Sequence, residues 1–329
     1  MNLPYISLPS EISNEEYHRG EKYRDYISST SLKNYLISPN YAEFARLHPE
    51  LKKQTDAMLE GTVYHDLMES YTNFGSEHSF PWISFDFKPP INQSTNKPYG
   101  YTSAKYEIAY TEQYNDLLAR NPGKKICDAE LIDTARNMAG ELMTGSKHYS
   151  PSIRHLLNIG KAEQSHFCEH EGGFYKFRTD LKTRNKIVDW KKTRFQLPKP
   201  ENFEKVIIEY GYHISAAMYQ YFDRIITGKW RKFFWVAQEN VPPYDFNIID
   251  ASPWAIELLG NDDIKLNEGG QIFMKLLRQH QWCLENNEYS GYSVFIQPDW
   301  KGKRFAKSHV PGWYKNKVKT EFFNDNKDG

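Results

Sequence analysis

Residues 174–193 constrain the fold of this 329-residue chain more than any other stretch. Two strand-like runs, Phe174 to Leu181 and Lys186 to Thr193, flank the polar triplet Thr183-Arg184-Asn185, which reads as a hairpin turn. With the turn centred between Arg184 and Asn185, residues whose numbers sum to 369 face each other, so Asp180 falls opposite Asp189. Opposed residues on paired strands lie ~5 Å apart on one face of the sheet. Two carboxylates that close repel unless a cation sits between them. Lys191 follows Asp189 by two residues and shares its face. The hairpin therefore gathers two acidic oxygen donors and an ammonium at one spot.

Hard oxygen ligands of this kind suit Mg²⁺, with Mn²⁺ as a substitute. The ammonium can polarise a water or neutralise charge on a phosphate. An acid-x-Lys triplet alone carries little weight, because the chain has seven of them. One reads Pro298-Asp299-Trp300-Lys301, but it has no facing strand acid and leads into a basic tail, so it is taken as a decoy. Asp189 and Lys191 stand out by context: a facing acid, an apolar approach through Ile187 and Val188, and a long helix afterwards. Two further residues extend the set. His65 lies beside an apolar helical stripe, where it either pairs with Glu69 at i+4 or offers a neutral imidazole to a metal. Glu163 is either an exposed strand acid or a further carboxylate for an ion or water.

The rest of the chain gives the architecture. Ser28 to Ser31 offer N-caps for a helix carrying Leu32 and Tyr35, and Ser38-Pro39 restarts a helix with Ser as cap. A helical stretch holds Met58 to Glu69. Residues 72–100, rich in Pro, read as a loop excursion with one short strand. Helices follow at about 102–120, 128–146 and around Ile153 to Leu157. Strands are predicted from Glu163 to His170 and along the hairpin, then one helix over about 202–227. Trp230 to Gln238 and Phe246 to Ile249 read as strands, Ser252-Pro253 as the cap of a short helix, 268–286 as an amphipathic helix and Tyr292 to Ile296 as a strand. This order predicts an α/β (α+β) fold, a central mixed sheet flanked by helices. Residues 1–27 read as a lead-in that docks on the body, 28–300 as the main domain and 301–329 as a basic tail.

Composition narrows the function class. The 42 Lys+Arg balance 42 Asp+Glu, which excludes a histone-like coat but not an enzyme with charge gathered in one place. Cys127, Cys168 and Cys283 are sparse and odd in number, which points to a reducing compartment and provides too few thiolates for an iron–sulfur cluster. No apolar run approaches the ~18 residues of a membrane span, and no signal peptide is evident, so a cytoplasmic location is expected.

The motif set resembles the RecB-like branch of the PD-(D/E)XK nuclease superfamily, and within it the RecE-type exonuclease domain (exodeoxyribonuclease VIII). Ser29-Thr30-Ser31-Leu32-Lys33 and Ser38-Pro39 resemble its opening helices, and Gly61-Thr62-Val63-Tyr64-His65 its Gly-Thr-x-x-His motif. Lys161 to Ser165 resemble its Glu-bearing strand, and Phe177-Arg178-Thr179-Asp180 its Arg-x-Asp strand. Ile187 to Thr193 are similar to its Asp-x-Lys-Thr motif, and Tyr212 to Tyr219 to the helix that follows, with Ser215 where that helix usually carries Gln. The resemblance implies a restriction-endonuclease-like core with metal ligation by His65, Asp180, Asp189 and the Trp190 carbonyl. Glu163 would support them, and Lys191 would stand at the water and the scissile phosphate. It implies DNA contacts from Arg178, Lys192, Thr193, Arg194, Tyr212, His213 and Tyr219. It further implies 5′→3′ degradation of one strand at double-stranded DNA ends in phage-type recombination. The same resemblance brings a ring-shaped, tetrameric homo-oligomer and a single-strand annealing partner of the RecT type. Two other readings stand beside it: a structure-specific repair endonuclease, and an inactive DNA-binding scaffold on the same fold.

The zero net charge conceals a polarised chain. Lys176 to Lys199 holds nine cations against two acids, and Lys301 to Lys319 holds seven cations and no acid. The first of these runs brackets the hairpin site and reads as the place where phosphates arrive.

Overall fold

The computed structural model describes residues 12–51, 55–145, 152–260 and 262–291. The elements, in chain order, are α1 (Asn14–Arg19), α2 (Ser29–Lys33), α3 (Pro39–Leu47), α4 (Asp56–Phe74), β1 (Trp82–Ser84), β2 (Ile91–Asn92), β3 (Lys97–Pro98), α5 (Ala104–Arg120), β4 (Lys125–Cys127), α6 (Ala129–Gly145), α7 (Ile153–Ile159), β5 (Lys161–His170), β6 (Gly173–Lys182), β7 (Lys186–Thr193), α8 (Pro200–Glu209), α9 (Tyr212–Thr227), β8 (Lys232–Glu239), β9 (Phe246–Asp250), β10 (Ile256–Gly260), β11 (Asp263–Leu266) and α10 (Glu268–Asn286). Five strands form the central sheet in the order β5-β6-β7-β8-β9. All neighbours are antiparallel except β7 and β8, which run parallel and are joined through α8 and α9.

Alternation along β7 and β8 feeds two apolar layers. Ile187, Phe233, Trp235 and Ala237 pack on one face with residues of α2, α8, α9 and α10. Val188, Trp190 and Val236 pack on the other with residues of α4, α6 and α7. Local chemistry fixes the helices that carry these layers. Ser38 accepts from the Tyr41 amide with Pro39 at the first helical position, as expected from the sequence. Thr55 caps α4 by accepting from the Met58 amide, and Gly75 in the left-handed region ends it. Residues 12–27 dock along the β5–β6 edge. Ile27 bridges Tyr175, and the Lys176 ammonium donates to the carbonyls of Tyr17 and Tyr23.

Several expectations need correction. The helix predicted over 202–227 is two helices, broken at Tyr210-Gly211, where Gly211 takes φ +61°. A Cβ there would meet Lys33 Cδ at 2.8 Å. The helix expected after Ser252-Pro253 is a turn leading into the hairpin β10–β11. The excursion after α4 holds three short strands rather than one, and β1 pairs in parallel with β4. The expected strand at 292–296, the tail from 301 and the Asp299 triplet lie outside the described residues. Cys127, Cys168 and Cys283 are buried free thiols. Among the described residues, no helix is long and apolar enough to cross a membrane.

Two buried polar groups tie α9 and α10 to the rest of the fold. Asp223, fully buried, takes Lys182 at 2.5 Å and also bonds Arg231. His280 on α10 shares a hydrogen bond of 2.8 Å between its Nδ1 and the Tyr35 hydroxyl. Burial pushes the His280 pKa down from 6.5 to about 4, against the opposing pull of Glu43. A depressed histidine stabilises the fold fully above pH 6.5 and loses that contribution as pH falls towards 4. The loss amounts to about 3 kcal/mol over that window. Urea denaturation across that pH range should therefore show a steeper loss of stability for the wild type than for His280→Gln. Identical slopes would show that the ring does not carry this dependence.

Candidate active site

His65 on α4, Glu163 on β5 and Asp180 on β6 meet on one side of the sheet. The His65 Nδ1 lies 3.7 Å from Glu163 Oε1 and 3.6 Å from Asp180 Oδ1. Among the described residues, this is the one trio of His, Cys, Asp or Glu whose ligand atoms all lie within 4.8 Å of one another. The hairpin pairs Leu181 with Val188 and Lys182 with Ile187, the register expected from its turn. Just beyond that ladder, Asp180 Oδ2 accepts the Trp190 amide at 2.7 Å, a backbone donor taken by a side chain.

The acids occupy a break in the sheet's alternation. Tyr175 and Phe177 on β6 belong to the α9-side layer and Leu181 to the α4-side layer, although strict alternation would keep all three on one face. On β5, Ala162 pairs with Leu181 and Gln164 with Thr179, so pairing steps over both Glu163 and Asp180. Glu163 has φ +47°, a conformation that costs a residue with a side chain and that gathers at functional sites. Arg178 holds this glutamate in place. Its guanidinium lies 3.9 Å from Glu163 Oε2, donates to Ser165 Oγ and the Ile12 carbonyl, and stacks over Tyr17.

Asp189 and Lys191 form the second half of the site. The Lys191 ammonium is 2.6 Å from Asp189 Oδ2 and lies over the Tyr212 ring, 4.8 Å from its centroid. Burial alone would lower the lysine pKa, but the carboxylates of Asp189 and Asp180 outweigh it and keep the ammonium charged. Burial and the adjacent Asp180 push Asp189 up to about 7, against the pull of Lys191. His65 moves up to about 9, since Asp180 and Glu163 overcome the desolvation that would lower it. Glu69, one turn along α4, is pushed up to about 7 by burial and by Glu163.

The residues expected to touch DNA divide into two groups. Arg194 is exposed, and Lys192, Tyr212 and Tyr219 are half-buried around the site. Arg178, Thr193 and His213 are instead committed to the interior. Thr193 donates to the Gln238 carbonyl, and His213 is buried against the Ile207 carbonyl. Ser215 is half-buried on α9. The Trp190 ring is buried in the α4-side layer, leaving only its backbone at the site. The basic run is likewise turned inward. Lys176, Arg178 and Lys182 have internal partners, Lys191 holds Asp189, and Lys192 holds Glu60. Exposed cations at Arg184, Arg194 and Lys199 remain from the strip read in the sequence.

Sequence reasoning missed a bracing group. Glu60 pairs with Lys192 and accepts from Asn240 Nδ2 at 2.8 Å, tying the start of α4 to the ends of β7 and β8. Gln238, buried on β8, accepts the Tyr64 hydroxyl and donates to the Met138 and Tyr244 carbonyls. Asp66 accepts the Trp82 indole at 2.7 Å. Glu60, Tyr64 and Asp66 crowd the segment around His65, the one available signal, but their partners lie far away in sequence.

A family model described as a PDDEXK-like domain of unknown function (DUF3799) matches residues 28–293. The chain belongs to this family. A mixed sheet with acids on β5, β6 and β7 and a lysine two residues after the last of them is compatible with a PDDEXK-like core, and membership supports a hydrolytic nuclease. A crystal structure described as a "Putative exonuclease" from Eubacterium rectale is similar at 15% identity, covering 92% of this chain and 96% of that chain, with a TM-score of 0.49. The search of curated proteins found no match.

PDDEXK-like nucleases use divalent metals, and the donor set here fits one. An imidazole nitrogen and two carboxylates converge, with Asp189 alongside. At His65 the negative charge of Asp180 and Glu163, which a cation would neutralise, outweighs the desolvation that lowers its pKa, whereas at Asp189 burial is the larger cause of the rise. A histidine at about 9 must lose its proton to act as a ligand, so metal uptake should strengthen as pH rises from 7 to 9. Calorimetric titration with Mn²⁺ should show affinity rising up to about tenfold per pH unit for one proton released. His65→Ala should flatten that rise. Unchanged Mn²⁺ affinity in His65→Ala across that range would remove His65 from the ligand set.

Proposed function

We propose that this protein is a Mg²⁺-dependent deoxyribonuclease that degrades linear double-stranded DNA from its ends. The convergence of His65, Glu163 and Asp180 beside the Asp189–Lys191 pair carries this reading, because a phosphodiester needs both a cation site and a fixed positive group. A divalent ion bound there supplies Lewis-acid charge to the phosphate and makes its water a better nucleophile. His65, Asp180 and Asp189 would hold it, with Glu163 in the same cluster and the Trp190 carbonyl as a further donor. Asp180 also fixes the Trp190 amide, so the strand that carries Asp189 and Lys191 cannot drift from it.

Lys191 remains protonated under the pull of Asp189 and Asp180. Its ammonium can therefore stabilise negative charge growing on the phosphate rather than accept a proton. Tyr212 caps this ammonium from α9 and limits its swing. Arg194, Lys192, Tyr212 and Tyr219 are the proposed DNA contacts. Arg178 and His213 act instead as positioning groups, the first on Glu163. A 5′→3′ polarity leaving 3′ overhangs, a ring-shaped homo-oligomer and a single-strand annealing partner follow from the resemblance to RecE-type exonucleases and complete the proposal.

One assay tests it. Purified protein with Mg²⁺ should shorten linear duplexes labelled at either end and leave a closed circle intact. Cleavage of the circle would favour an endonuclease instead. Lys191→Ala and Asp189→Ala should each lower the rate by at least about 10²-fold while DNA binding persists. Retained cleavage in either variant would refute the assignment.

A further inference from the structure

The break between α8 and α9 has a consequence at the mouth of the site. Side chains at i and i+2 of a continuous helix point apart. Gly211, in the left-handed region, turns the chain between Tyr210 and Tyr212 and brings their rings together, with centroids 5.6 Å apart and planes at 24°. Lys33 on α2 holds this turn by donating to the Tyr210 carbonyl at 2.8 Å. Tyr212 is half-buried, against Phe203 and under the Lys191 ammonium. Tyr210 is its outer partner and is 56% exposed. The steps of 4.8 and 5.6 Å put the Tyr210 ring no more than about 10 Å from the Lys191 ammonium.

We infer that Tyr210, backed by Tyr212, is a stacking platform for an unpaired nucleobase of the strand whose phosphate lies at Lys191. The inference rests on the nuclease reading for the location of that phosphate. An exposed ring beside Lys191 offers its outer face to a flat, uncharged partner. A nucleobase a few nucleotides from the reacting phosphate is such a partner, delivered by the same strand. Stacking tolerates any base, because every base has a π-face. An interior paired base has both faces covered and a terminal one is held in its pair, whereas an unpaired base can swing onto the ring, so the platform favours a frayed or single-stranded end over a blunt one. Few cations of the basic run remain exposed, so stacking gives the end a hold that does not depend on charge. Glu209, next to Tyr210, disfavours a second phosphate there and favours the neutral base.

The test uses the full chain in EDTA, where metal-dependent cleavage is off, and a duplex bearing 2-aminopurine in a short single-stranded overhang at the 5′ or the 3′ end. Wild type should quench the fluorophore on binding and prefer an overhang duplex to a blunt one. Tyr210→Ala should abolish the quenching and weaken overhang binding by about 5- to 100-fold while blunt binding is unchanged. Tyr210→Phe, which keeps the ring and loses only the hydroxyl, should behave as wild type. Thermal unfolding of both variants should match wild type, since the ring is exposed. Unaltered quenching in Tyr210→Ala, or equal weakening of blunt and overhang binding, would overturn the platform, as would failure of wild type to bind either duplex. Retained cleavage in Asp189→Ala would instead refute the nuclease site and leave the quenching result standing.

Discussion

Carboxylates on neighbouring strands repel, and Glu163, Asp180 and Asp189 occupy β5, β6 and β7 around one histidine. Much of the surrounding structure opposes that repulsion. Arg178 stands against Glu163, the Trp190 amide and His65 against Asp180, and Lys191 against Asp189. These supports come from three elements, β6, β7 and α4. His65, raised by Asp180 and Glu163 against its own burial, registers the negative charge left over. A site left with excess negative charge is prepared for a cation, at a cost to its own stability.

Much of this was legible in the sequence because it is local. The hairpin register follows from one turn triplet, and it placed Asp180 by Asp189 and Lys191 on the same face as Asp189. Ser38-Pro39 announced a helix start through chemistry confined to four residues. What escaped depends on distant partners or on single dihedrals. The apolar period from Phe203 to Phe222 runs across Tyr210-Gly211, so periodicity reports one helix where a left-handed glycine makes two. Ser252-Pro253 signals a helix, but Ile256 and Leu258 were claimed by pairing with Leu266 and Ile264. The alternation break at Glu163 and Asp180 depends on one positive φ, which residue type does not reveal. His65 and Glu163 were each open to two readings on their own, and the resemblance joined them to the hairpin, since about a hundred residues separate them.

Charge was the least legible property. The run from Lys176 to Lys199 looks like an outward strip, yet a sequence does not say which way a long side chain points. Lys176 is held by backbone carbonyls, Lys182 by buried Asp223, and Lys192 by Glu60. Several cations of this run are thus satisfied within the fold, one by one, around the sheet. A site built this way presents a narrow positive feature rather than a broad basic face, which suits contact at one place along a strand.

The trio at the centre also bears on when during synthesis the site can exist. His65 leaves the ribosome about a hundred residues before Glu163 and Asp180, and the β8 strand beside β7 comes later still. Glu60 reaches its Asn240 partner across 180 positions. A growing chain that ends before β8 lacks the parallel neighbour of β7 and the Asn240 partner of Glu60, and a fragment that begins after α4 lacks the histidine. The long-range wiring therefore ties completion of the site to the making of nearly the whole sheet: β8 and Asn240, which brace it, leave the ribosome long after its histidine.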